Sequence, residues 1–128
     1  MGMKMIETIE IARELGGFTV LAHPFEFYRH GVMGLKYFEY VDAIEVFNTK
    51  SYLNFLVNYF AKNKKPIMAG SDAHNAYAIG YGLTLVGINN KNMYNINDQD
   101  VFKAIKNFNV KIERKKIPLR LRLSRLRL

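Results

Sequence analysis

Apolar and polar positions change their period several times along the chain. Residues 5–15, MIETIEIAREL, place Met5, Ile9, Ala12 and Leu15 on one face, with Ile6 beside them. That spacing predicts an amphipathic helix, and Gly16-Gly17 supply its stop. Residues 18–22, FTVLA, are a continuous apolar run of strand length that ends at His23-Pro24. A residue before proline favours extended geometry, as at a strand exit. A short helix is predicted over 34–40 and a second strand over 43–47, AIEVF, interrupted by Glu45 and followed by Asn48. Residues 51–63 carry Leu53, Leu56, Val57 and Phe60 at helical spacing, with Lys62, Lys64 and Lys65 at the end where a helix dipole favours cations. Residues 66–69 and 83–88 read as a third and a fourth strand. Asn97 or Asp98 can cap a helix running through Val101, Ala104, Ile105 and Phe108, and 110–112 can form a fifth strand.

Strands alternate with helices, and the strands are apolar throughout rather than on every second residue. Such strands are usually parallel and covered on both faces, so the pattern predicts an α/β fold of mostly parallel strands. Periodicity does not say whether the sheet is open or part of a barrel. In a parallel sheet the strand C-termini share one edge, where loops bring polar side chains together. Three polar clusters fall at that place. His23 follows the first strand, Glu45 and Asn48 lie in and after the second, and Asp72 and His74 follow the third in the stretch PIMAGSDAHN, 66–75. These groups are expected to face one crevice.

Composition narrows the chemistry. With 128 residues, 49% of them hydrophobic, the chain is one domain able to bury a core. The absence of cysteine excludes disulfides, thiolate metal sites and cysteine nucleophiles. No apolar run approaches the roughly 18 residues of a membrane-spanning helix. Glu7, Glu10 and Glu14 within the first apolar pattern are unlike a signal peptide, so a cytoplasmic location is expected. The net charge of +8 is concentrated: residues 111–128 hold eight cations against Glu113 alone, and the rest of the chain is nearly neutral. A division follows into a body, 1–114, and a basic Leu/Arg tail, 115–128.

Imidazole with carboxylate suits zinc, manganese or iron. An Asp-x-His spacing on an extended segment would put both side chains on one side, and Gly70 just before it allows an unusual backbone angle or close packing beneath. Each residue also has a plainer reading. His23 can be a loop residue, Asp72 ordinary turn chemistry, Glu45 a buried carboxylate bonded to backbone or lysine, and His30 a surface residue.

AHP at 22–24, DAIEVFN at 42–48, AGSDAH at 69–74 and IG at 79–80 together resemble the second half of a PHP domain, the polymerase and histidinol phosphatase family. The resemblance covers roughly residues 6 to 90. It implies the C-terminal half of a distorted (β/α)7 barrel with its site at the strand C-termini, up to three divalent ions, and hydrolysis of phosphoesters such as nucleotides or oligonucleotides. On it, His23, Asp72 and His74 match metal ligands, Asp72 and His74 act through the metal, and Glu45 and Asn48 lie near the site without being ligands.

The family's first half, with its His-x-His motif, has no counterpart in these 128 residues. Each ion would then have too few protein ligands, since a catalytic ion needs about three and an open position. The expectation is a partial phosphoesterase, a fragment, a split gene product or a remnant. It would bind Zn, Mn or Fe weakly and show little activity without an N-terminal half in trans, and its open edges favour self-association. The rival reading is a non-catalytic binding module. In it Arg120, Arg122, Arg125 and Arg127, interleaved with leucines, contact nucleic acid or a partner, or the alternating segment adds a strand to a sheet edge. A solvated tail is the plain alternative.

Overall fold

The computed structural model describes residues 3–26, 36–61, 64–89, 92–115 and 118. The elements run α1 (Met5–Glu14), β1 (Val20–Leu21), β2 (Ala43–Asn48), α2 (Asn54–Ala61), β3 (Ile67–Gly70), β4 (Gly82–Val86), α3 (Asp98–Lys106) and β5 (Val110–Arg114), with short 3-10 turns at Ala76–Ala78 and Met93–Asn95. The chain is α/β, as its pattern predicts. No helix among the described residues is long and apolar enough to cross a membrane.

β1, β2 and β3 form a three-stranded sheet, all parallel and in that order. β2 is the central strand, and Ala43, Ile44 and Val46 are almost wholly buried. Burial on both faces is what an unbroken apolar strand requires. The core joins these residues to Ile9 of α1, Leu21 of β1, Phe38, Val41, and Val57 and Ala61 of α2. Val57 and Ala61 are four apart, so one stripe of α2 faces β2, and the Asn58 amide donates to the Val46 carbonyl at 3.0 Å.

Three local features differ from the sequence pattern. β1 is shorter than the apolar run at 18–22: the Thr19 carbonyl still accepts from Ala43 N–H at 3.1 Å, but its N–H and hydroxyl both donate to Asp42 Oδ2, at 2.9 and 2.7 Å. Residues 36–40 form turns rather than a helix, with Tyr40 N–H donating to the Tyr37 carbonyl at 3.0 Å; residues 34–35 lie outside the described residues. Lys65 does not serve the end of α2. Its ammonium donates to the Val41 carbonyl at 2.6 Å and the Glu39 carbonyl at 3.2 Å, fastening the turn before β2.

β4 and β5 form an antiparallel pair, Gly82 opposite Arg114 and Val86 opposite Val110. This pair is the antiparallel part of a fold whose other strands are parallel, within the mostly parallel expectation. Its trace is in VKIER at 110–114, where half-buried Val110 and Ile112 alternate with exposed Lys111 and Glu113. One wet face is the mark of an antiparallel edge. β4 meets β3 through a side chain: the Thr84 hydroxyl accepts from Ala69 N–H at 2.9 Å and donates to the Ala69 carbonyl at 3.0 Å. α3 is capped by Asn97, whose side chain accepts from Asp100 N–H while the Asp100 carboxylate accepts from Asn97 N–H, each at 3.0 Å. This reciprocal capping box satisfies two otherwise orphaned donors. Phe102 of α3 stacks on Phe18 with ring centroids 5.1 Å apart.

Several large apolar side chains stay in water, among them Leu15, Phe55, Tyr59, Tyr77 and Tyr94. The outer side of β1 carries no strand among the described residues. A cavity of about 320 Å³ lies between α1 and β1, lined by Met5, Ile9, Ala12, Leu21, His23 and Tyr37 among others.

Candidate metal-binding edge

Because β1, β2 and β3 are parallel, the segments leaving them emerge at one edge. Glu45 is the link between the first two. Its Oε2 accepts from His23 N–H at 2.9 Å and from the Asn48 amide at 3.1 Å. A register shift between Glu45 and Phe47 gives β2 one extra residue against β3, a bulge of the kind that re-aims side chains. Burial of Glu45 raises its pKa. The hydrogen bonds from Asn48 and His23 pull the other way without overcoming burial, and the Asp72 charge adds to the rise. Glu45 thus feels both His23 and Asp72.

His23 is not extended, contrary to what its position before proline predicts: its φ is 29°. Asp72 has φ 48°, so the Asp72–His74 segment is not extended either. The only other non-glycine residue with positive φ among the described residues is Phe108, which closes α3. The remaining two are both candidate ligands. Positive φ is uncommon for a residue with a side chain, although Asp and His tolerate it better than most. Such backbone strain collects at functional sites. At His23 it is held by the Glu45 carboxylate, and His23 Nδ1 is buried without a hydrogen-bond partner among the described residues.

The turn at Asp72 brings the third cluster together by another route than the expected extended one. His74 Nδ1 lies 3.6 Å from Asp72 Oδ1 and 2.9 Å from the Asp72 carbonyl oxygen. Lys50 joins them, its ammonium in contact with His74 Nδ1 and 3.7 Å from Asp72 Oδ2. A protonated Nδ1 donates to the carbonyl; an unprotonated one accepts from Lys50. Pattern reasoning passed over Lys50, for a lysine two residues beyond a strand carries no signal of its own.

Asn48 is 2% exposed and works as a structural hub. Its N–H donates to Asn54 Oδ1 and its own Oδ1 accepts from Lys50 N–H, both at 2.8 Å. Its carbonyl accepts from the Asn54 amide at 2.9 Å. Asn48 therefore sets the turn that carries Lys50. Gly70 answers to close packing rather than to an unusual backbone angle: a Cβ there would strike the Glu45 carboxylate. Gly82 is hemmed in by backbone instead, since its Cβ would meet the Gly70 carbonyl oxygen at 2.5 Å.

Residues 53–110 match the PHP-associated family model. The PHP-associated stretch takes in α2, β3, the Asp72–His74 turn, β4 and α3; His23, Glu45 and Asn48 precede it. None of the curated proteins or solved structures compared matches the chain.

Against a metal ion, the donor types are suitable: imidazole and carboxylate at strand exits, one imidazole nitrogen buried and unbonded. Among the described residues no three of His, Asp and Glu converge closely enough to hold an ion by themselves. The donors fit part of a coordination sphere. His30, Arg120, Arg122, Arg125 and Arg127 lie outside the described residues.

Proposed function

We propose that this chain supplies one wall of a metal-dependent phosphoester-hydrolysing site, with His23, Asp72 and His74 as ligands. The observation that carries the reading is the positive φ of His23 and Asp72, two side-chain-bearing residues held in a costly conformation on either side of Glu45. The PHP-associated match over 53–110 supports it, because Asp72 and His74 lie inside that stretch. A divalent ion, when bound, would sharpen a water into hydroxide near neutral pH and neutralise charge on the phosphate.

The chain's own residues have distinct roles. Asp72 offers the anionic oxygen, and His74 and His23 the nitrogens. Glu45 is a positioning residue: it fixes the His23 backbone and presents a protonatable carboxyl behind the ligands. Asn48 braces Glu45. Zn, Mn and Fe are the ions such donors suit. A nucleotide or oligonucleotide phosphoester is the substrate class proposed, and a second polypeptide wall, in trans or from a longer chain, supplies the missing ligands.

The test is complementation. Alone, the chain is expected to hydrolyse bis(p-nitrophenyl) phosphate poorly with Mn²⁺. Mixed with a separately expressed first-half PHP segment bearing His-x-His, it is expected to become active in a metal-dependent manner, and Asp72→Asn to abolish the gain. Full activity of the Asp72→Asn mixture would remove Asp72 from the site.

A further inference from the structure

Lys50 is a lysine in an unusual setting. Its side chain is only 12% exposed, and Asp72 beside it 17%. Ammonium groups are strongly hydrated, and one withdrawn from water needs charged or polar partners close by. Lys50 has them in the two side chains read above as metal ligands: Asp72 Oδ2 at 3.7 Å and His74 Nδ1 in direct contact. Its backbone is not adaptable either. The Lys50 N–H is bound to Asn48 Oδ1 at 2.8 Å, and Asn48 is buried and pinned by Asn54. The stem of the lysine therefore starts from a fixed turn and delivers its charge to one place.

We propose that Lys50 is an internal cation that occupies the Asp72–His74 pair in the metal-free protein and competes with a divalent ion for it. The inference rests on the reading of Asp72 and His74 as ligands, and adds to it a residue that sets the affinity. A metal bonded to a carboxylate oxygen and an imidazole nitrogen sits about 2 Å from each. An ammonium in contact with His74 Nδ1 and ion-paired with Asp72 Oδ2 at 3.7 Å lies against the same small volume. Two cations do not share it, so each divalent ion bound must first displace Lys50 from Asp72.

Two consequences follow. The pair keeps its geometry without metal, because Lys50 compensates the Asp72 charge. The cost is weak metal affinity, set by the ammonium as much as by the number of ligands.

The experiment is a Mn²⁺ titration of the full-length chain, stripped with chelator, with free Mn²⁺ followed by electron paramagnetic resonance. Lys50→Met and Lys50→Gln are each compared with the parent, and circular dichroism verifies that they fold. Neutralising Lys50 is expected to tighten Mn²⁺ binding by about tenfold or more, a change of at least ~1.4 kcal/mol. Lys50→Arg keeps the charge and is expected to bind as weakly as the parent. Adding Asp72→Asn to either neutral variant is expected to return binding to the weak level.

If both neutral variants bind Mn²⁺ no tighter than the parent while Asp72→Asn still weakens binding, Asp72 remains a ligand and the competition is overturned. If Asp72→Asn leaves Mn²⁺ binding unchanged in every background, the ligand reading fails and the competition falls with it.

Discussion

The Glu45 carboxylate receives the backbone N–H of His23 at 2.9 Å across a separation of 22 residues. This bond ties the exit of β1 to the middle of β2 and holds His23 at positive φ. It also places an acid, partly stripped of water, at the centre of the candidate site.

The first prediction concerns pH. Burial raises the Glu45 pKa above its ordinary value, and the Asp72 charge adds to it. The folded state then holds its proton more strongly than the unfolded chain does. Glu45's protonation-linked contribution to stability is fully present below the unfolded pKa and is lost as pH rises through the raised folded pKa. Glu45→Gln keeps an oxygen for His23 and Asn48 but cannot titrate. Urea unfolding across the acid-to-neutral range, in chelator, should show stability declining less with rising pH in Glu45→Gln than in the parent. An unaltered pH profile would place the proton elsewhere.

Glycine packing gives a second. Gly70→Ala drives a methyl into the Glu45 carboxylate, which is the tip of a side chain but one fixed by two hydrogen bonds. A cost of about 1–3 kcal/mol is expected, of the size overpacking brings. Gly82→Ala meets the Gly70 carbonyl, part of the backbone, and should cost more. Chemical denaturation ranks the two, and a Gly70→Ala, Glu45→Ala double variant should recover part of the Gly70→Ala loss.

Asp42 carries a third, of opposite sign. Burial would raise its pKa, but the N–H and hydroxyl of Thr19 and the ammonium of Lys106 outweigh burial and leave it lowered. Lys106 Nζ is 3.3 Å away with its side chain 56% exposed, so solvent screens it, and Thr19 is the stronger partner. A lowered folded pKa gives stability that is present above the unfolded value and lost as pH falls through the folded one. Asp42→Asn should therefore cost about 1–2 kcal/mol near neutral pH, with the gap to the parent closing in acid. Thr19→Ala should cost more than Lys106→Ala.

The basic tail supplies the fourth. Eight of the chain's 19 Lys and Arg residues lie in 111–128. If they grip phosphates, removal of 115–128 should abolish binding to a single-stranded oligonucleotide, and the parent's affinity should fall steeply with salt. Thermal unfolding of the truncated chain at the parent's temperature would verify that the body is intact. Equal binding with and without the tail would end the nucleic-acid role for Arg120, Arg122, Arg125 and Arg127.

Much of the architecture could be read before any coordinates. Ala43, Ile44 and Val46 announced a strand buried on both sides, Gly16-Gly17 ended α1, and Asn97 capped α3. Individual residues diverted to other partners could not be read. Thr19 gives its N–H and hydroxyl to the Asp42 carboxylate, and Lys65 leaves α2 for the Val41 carbonyl. At the site, the sequence placed His23, Glu45, Asn48, Asp72 and His74 at neighbouring strand exits. It could not foresee the positive φ of His23 and Asp72, because a carboxylate from another strand imposes the first of them and local propensity contains no such term. Lys50 escaped notice for a related reason: only the fold brings it to Asp72.

The junction of β3 with β4 has a mechanical meaning. Around Ala69 the two strands are joined by the Thr84 hydroxyl, both donor and acceptor, in place of a backbone rung. A hydroxyl rotates about a single bond and peptide groups do not, so this is a seam where the sheet can flex. The Asp72–His74 turn leaves β3 and returns as β4, spanning that seam. Native-state amide exchange should find Ala69 opening more readily than the Ile44 amide bound to the Pro66 carbonyl. The turn that carries the proposed ligands Asp72 and His74 thus spans a joint bridged by one side chain, where a small shear of two strands would change the spacing of the groups that meet there.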